Sequence, residues 1–232
     1  MITVRTTLKT FAALAFAASM TACGGGDDDE PAVLVVDAAT GATTIDAAAL
    51  AATLATYPLQ TLSDAERASL LAMREEEQLA HDVYAASARL WPQPIFDNIA
   101  ASETTHAQAV AALLERYGVP DPMAALPEGT FATPAFQALY DAYVATSRTS
   151  VVAALKVGAE IEELDIRDIA VQKTVVDNAD ITMVYDHLLR GSRNHLRALV
   201  RVLATLGETY TPQYLSQAEF DAIVSSPIET GR

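Results

Sequence analysis

The sequence predicts an all-α protein built on four long helices, arranged as two helical hairpins joined by one long crossover. Three observations carry that expectation. The 232 residues are 51% hydrophobic but only 6% aromatic, rich in Ala, Leu and Glu, with 10 Gly and 10 Pro; such a composition favours helices over a β-sandwich. Four segments of roughly 24 to 29 residues repeat apolar side chains at helical spacing, each about 35–43 Å long at 1.5 Å per residue. The linker between the second and third segments is far longer than the other two, the pattern of one crossover between two hairpins. The length suits one ordinary domain with appendages, or at most two small ones.

The elements follow in order. Arg5 and Lys9 form a basic start, and Phe11 to Ala18 is an apolar run too short to span a bilayer permanently. Residues 1–22 therefore read as a signal peptide. Ser19-Met20-Thr21-Ala22 leads into Cys23, the only cysteine. This segment resembles the bacterial lipobox, with Met20 where Leu is expected, and the resemblance makes Cys23 the lipidated first residue of the mature chain. Residues 23–60 read as a flexible tether (Gly24 to Asp29) followed by an Ala/Thr-rich lead-in of weak periodicity. A bundle over 61–223 and a tail over 224–232 complete the division.

Within the bundle, Ser63-Asp64-Ala65-Glu66 is a capping box that opens the first long helix, which Pro92 stops after Trp91. The second runs from about Pro94 to Tyr117, with Gly118 as its C-cap. A Pro-rich loop and a short helix from Thr133-Pro134 to Ser147 form the crossover. The third helix runs from Ser150 to Lys173 and the fourth from Asp180 to Leu206, closed by Gly207. Ser216 and Glu219 signal a last short helix.

The charge narrows the partners. Lys+Arg total 15 against 30 Asp+Glu, a formal net charge of -15, and loss of Arg5 and Lys9 with the signal takes it down by two, to -17. Nucleic acid is excluded as the main partner, because phosphate binding needs a basic face. The membrane is reached only through the lipid anchor. The expectation is an exported domain in the cell envelope, facing the periplasm or the exterior, and a homodimer remains compatible with it. A single cysteine leaves no internal disulfide.

Polar residues interrupt the apolar stripes at mid-helix. The second helix carries Phe96, Ile99, Glu103, His106, Val110 and Leu113 on one face, so a carboxylate and an imidazole share the seam. The fourth places His195 among Tyr185, Leu188, Leu199 and Val202, with Ser192 one turn before it. On the first helix Glu76 and Glu77 fall inside the apolar arc and Glu75 points away, toward solvent. On the third, Glu162 lies inside the arc and Glu163 at its edge, with Asp165 close by. His81 and His187 lie off the seams. Burying one unpaired carboxylate costs several kcal/mol, so several need a shared compensator, which a multivalent cation supplies. Carboxylates with imidazoles and no thiolate suit iron or manganese. The Glu-x-x-His spacing is also that of dinuclear sites in helical bundles. A hydrogen-bonded polar core without metal is the other reading of the same residues.

Glu77-x-x-Ala80-x-x-x-Tyr84 resembles the first-helix motif of rubrerythrin-type ferritin-like proteins, and Glu103-x-x-His106 their second-helix motif. Five ordered segments (75–84, 102–106, 157–165, 191–196 and 210–215) are together similar to a family of unknown function within the ferritin-like superfamily, over about residues 60–223. The resemblance implies a ferritin-like four-helix bundle with a diiron-type centre. It implies ferroxidase, oxidase or peroxidase activity, with dioxygen or peroxide as partner. It favours Glu77 over Glu76. The candidate ligands of two iron, or manganese, ions are then Glu77, Glu103, His106, Glu162, Glu163 and His195. One departure stands out: the superfamily's fourth helix usually carries Glu-x-x-His, and here Ser192 takes the Glu position. A non-catalytic metal-binding or interaction lipoprotein on the same scaffold is the alternative.

Overall fold

Leu34, Val35 and Val36 pair antiparallel with Ile45, Thr44 and Thr43, forming strands β1 (Leu34–Val36) and β2 (Thr43–Ile45). The computed structural model describes residues 32–230. Between the strands, the Asp37 carboxylate accepts from the Ala39 and Thr40 amides, and Gly41 takes a φ of 78° that side chains rarely adopt. Asp46 then caps α1 (Ala47–Thr56). This stretch, expected as lead-in, is folded: Thr43, Ile45, Leu50 and Leu54 are buried, with β2 and α1 lying on the second long helix. Its Ala-rich helix has little amphipathic contrast of its own, so its buried face is selected by the surface it packs on. A run rich in β-branched residues (Val33, Val35 and Val36, then Thr43 to Ile45) around Asp37 and Gly41 was the available signal.

The long helices are α2 (Asp64–Leu90), α3 (Pro94–Arg116), α5 (Val151–Gln172) and α6 (Ala179–Thr205), with α4 (Pro134–Ser147) in the crossover. Their limits agree with the caps and prolines of the sequence. The α2 capping box does more than start a helix. One Glu66 oxygen accepts from the Ser63 amide and hydroxyl, and the other from the Asp177 and Asn178 amides. The start of α2 is thereby tied to the loop before α6. Helix α2 packs along α3 and α5 along α6, while α2 also meets α5 and α3 meets α6. The result is an all-α helical bundle.

The last helix, α7 (Gln217–Ser225), packs on α6, and the tail beyond it is anchored there too. Glu229 accepts from Arg193 and Arg197, and its amide donates to Asn194. No helix of the described residues is long and apolar enough to cross a membrane. Cys23 and the leader lie outside the described residues.

Two apolar clusters fill the bundle. One gathers Leu79, Val83, Phe96, Ile99, Leu155, Ile161, Leu196 and Leu199; the other gathers Leu70, Met73, Val110, Leu113, Ile169, Ile181, Tyr185 and Leu188. Each long helix carries buried polar residues near its middle: Glu76 and Glu77, Glu103 and His106, Ser192 and His195 between the two clusters, and Glu162 and Asp165 on α5 between Ile161 and Ile166 of the first. A polar layer thus crosses the bundle near its middle, against both apolar clusters.

Candidate metal centre

Helix α3 supplies the middle of the layer. At i and i+3, Glu103 and His106 project from one face, and His195 reaches them from α6. One Glu103 oxygen lies 2.8 Å from His106 Nδ1 and the other 2.9 Å from His195 Nδ1. Glu77 of α2 stands 3.5 Å from His106 Nδ1, and Glu162 of α5 stands 3.5 Å from His195 Nδ1. Each half therefore holds one imidazole, one flanking carboxylate and a share of Glu103. The ligand-capable atoms of Glu77, Glu103 and His106, and those of Glu103, Glu162 and His195, lie within 4.8 Å of one another. The two imidazole rings stack at 5.5 Å between centroids, 20° from parallel.

Despite these short separations, neither Nδ1, neither Glu77 oxygen, neither Glu103 oxygen nor Glu162 Oε2 makes a hydrogen bond of acceptable geometry. All belong to residues at most 1% exposed. Buried polar atoms are ordinarily paired. Atoms that converge without aiming at each other are arranged as ligands around cations would be, so the donor set fits the group that the sequence implied.

The histidines' other nitrogens are engaged. Thr43 Oγ1 lies 3.0 Å from Nε2 of both His106 and His195. Both rings thus turn Nε2 toward the hairpin and Nδ1 toward the carboxylates. Glycine makes the space: a Cβ on Gly191 would come within 2.5 Å of His106 Cε1 and 3.3 Å of Thr43 Oγ1. At Gly158 a Cβ would crowd Tyr84, whose hydroxyl donates to Glu162 Oε1 at 2.6 Å with the Gly158 carbonyl as second acceptor.

Charge sets the protonation. Burial lowers the His106 pKa, but Glu103 and Glu77 overcome it and raise it to about 10. Burial likewise opposes His195, and Glu162 with Glu103 raises it to about 9. Glu103, although buried, is held far below the usual carboxylate range by the two imidazoles. Burial lifts Glu77 to about 7 against the pull of His106, and burial with the Glu103 charge lifts Glu162. Without a cation the centre is an imidazolium–carboxylate cluster with raised outer carboxyls.

The remaining carboxylates divide clearly. Glu163 is turned away: it accepts from the Tyr210 hydroxyl at 2.6 Å and from the Gln213 and Leu215 amides. Expected as a candidate ligand, it instead fastens the segment after α6, because neighbouring helix positions lie about 100° apart. Glu76 lies beside Asp165; burial with the Asp168 charge raises Glu76 to about 8, burial with the Glu76 charge raises Asp165, and one Glu76 oxygen and both Asp165 oxygens have no hydrogen-bond partner. Glu75, expected toward solvent, is 3% exposed and accepts from the Thr133 amide, so the crossover covers it. Ser192 sits in the polar layer but donates to the Leu188 carbonyl. His81 pairs with Asp82 and His187 lies beside Arg190, both apart from the centre.

The comparisons with known proteins match this chain over the same bundle. Residues 66–227 match the family described as an uncharacterised protein domain, DUF2202. An uncharacterised protein of Methanocaldococcus jannaschii, MJ0754, is 48% identical over 178 residues, covering 77% of this chain and 96% of the relative. The crystal structure of that hypothetical protein superposes with a TM-score of 0.73 and covers 75% of this chain and 99% of that one.

Proposed function

This chain belongs to the DUF2202 family of uncharacterised domains, and from the geometry of its polar layer we propose a ferritin-like protein that holds a dinuclear iron or manganese centre. The observation that carries the reading is Glu103, buried between two histidines with one oxygen near each Nδ1 and no hydrogen bond to either. His106 and Glu77 would hold one ion, His195 and Glu162 the other, and Glu103 both. When bound, such ions supply reversible oxidation between divalent and trivalent states, with dioxygen or peroxide as the oxidant. The residues themselves bind, orient and exclude water. Tyr84 fixes one oxygen of Glu162 and leaves the other free. The apolar clusters on either side keep bulk water from the layer.

Purified without a chelating tag and loaded anaerobically with ferrous iron, the protein should bind two ions per chain and consume oxygen on exposure to air. A stoichiometry near zero would sink the metal reading. Two ions without oxygen consumption would instead give the second reading, a non-catalytic metal-binding protein. That alternative is favoured by Ser192, which leaves α6 without the carboxylate usual in the superfamily. The place of action is an exported, lipid-anchored domain in the cell envelope, on the strength of Cys23 and the leader before it. Cys23→Ser should move the protein from the membrane pellet to the soluble fraction; a variant that still pellets at high salt argues against the anchor.

A further inference from the structure

The two imidazoles share something the family match does not include. Thr43 precedes the matched segment, residues 66–227, yet its hydroxyl is the only group bonded to either histidine's Nε2 among the described hydrogen bonds. A hydroxyl oxygen has two acceptor lone pairs. We infer that Thr43 is a positioning residue of the metal centre, its one oxygen accepting Nε2–H from both His106 and His195. Both imidazoles are then held with Nδ1 as the ligand atom, one for each ion. The inference rests on the dinuclear reading.

The hairpin is built to deliver that oxygen. Residues 43 and 45 of β2 point inward while Thr44 is exposed. The Thr43 amide donates to Ser102 Oγ at 3.0 Å and the Ile45 amide to Thr105 Oγ1 at 2.9 Å, so two hydroxyls of α3 hold the strand on either side of the contact. At the turn, Gly41 lies against α6, where a Cβ would come within 3.0 Å of the Asn194 carbonyl. Thr43 is 2% exposed and both rings are fully buried, so water does not compete for the Nε2 protons. The tautomer matters because an imidazole protonated at Nδ1 has no lone pair there to give a cation. One side chain thereby prepares a ligand for each half of the centre.

The test compares wild-type protein with Thr43→Val, which keeps the shape and removes the acceptor, and Thr43→Ser, which restores it. Manganese titration should show both ions weakened about tenfold to a hundredfold in T43V, the range for loss of a partner to a metal-bound histidine, and recovered in T43S. In zinc-loaded protein, 15N-resolved spectra should show His106 and His195 protonated at Nε2, with both Nε2–H resonances displaced in T43V and returned in T43S. Equal affinity of T43V and wild type for both ions overturns the inference and leaves the metal reading standing. Weakening of one ion only overturns the shared acceptor, as does a wild-type spectrum with either histidine protonated at Nδ1, even if T43V fails to fold. Wild-type protein that binds neither metal overturns both readings together.

Discussion

At the scale of the residue, the centre is asymmetric in what each side chain supports. Glu103 serves both halves, so Glu103→Ala should remove both ions, whereas Glu77→Ala and Glu162→Ala should each remove or weaken one. Elemental analysis of metal per chain, with circular dichroism to confirm folding, reads the difference; equal losses in all three would refute the division of roles. Gly191 is a second such point. A methyl there must displace the His106 ring, which lies between Thr43 and Glu103. Overpacking of this kind costs about 1–3 kcal/mol, so Gly191→Ala should lower stability by that amount in denaturant titration and weaken metal uptake with it.

At the scale of the element, polar anchors decide how peripheral segments dock. Glu163 illustrates the point, since it sits beside Glu162 in sequence but serves the 210–215 segment. Glu163→Ala strands a half-buried phenol and two amides. Each unsatisfied group costs about 1–3 kcal/mol, and relaxation of the exposed segment should limit the total to about 2–4 kcal/mol. Metal stoichiometry should be unchanged, which separates an anchor from a ligand; loss of an ion in this variant would place Glu163 at the centre after all. The helix limits were legible beforehand because caps are local. Ser63, Pro92, Gly118, Thr133-Pro134 and Ser150 act through backbone groups within three residues. The hairpin β1–β2 was not legible in the same way. Its register depends on hydroxyls of α3 that lie about sixty positions away in the chain.

At the scale of the whole molecule, acidity and the buried histidines couple stability to pH and metal. An imidazole whose pKa is about 6.5 when unfolded and about 9 or 10 when folded binds its proton more tightly in the native state. Its stabilising contribution is complete below pH 6.5 and is lost as pH rises through 9 and 10. The raised pKa values of Glu77 and Glu162 act in the same direction, over the range above their unfolded values. The metal-free protein should therefore melt at a lower temperature at pH 9.5 than at pH 6. Cations displace these protons, so metal binding at pH 7 should release protons, visible as a dependence of the calorimetric heat on buffer ionisation enthalpy. The gap between metal-loaded and metal-free melting temperatures should widen with pH. A gap that narrows, or no gap, counts against cations at this layer.

The sequence by itself determined four long helices, their caps, their pairing through short and long linkers, and a band of carboxylates and imidazoles at mid-helix. All of these follow from periodicity and local backbone chemistry. Only the tertiary structure decided between neighbours. Glu76 and Glu77 both fit one apolar arc, as nearly did Glu162 and Glu163, because a buried arc is wider than the step between adjacent helix positions. Packing of α2 against α5 turned Glu77 and Glu162 to the histidines, set Glu76 against Asp165, and left Glu163 to the 210–215 segment. Thr43 has no helical period to announce it. Its place beside His106 and His195 exists only once a strand from outside the bundle is laid across α3 and α6.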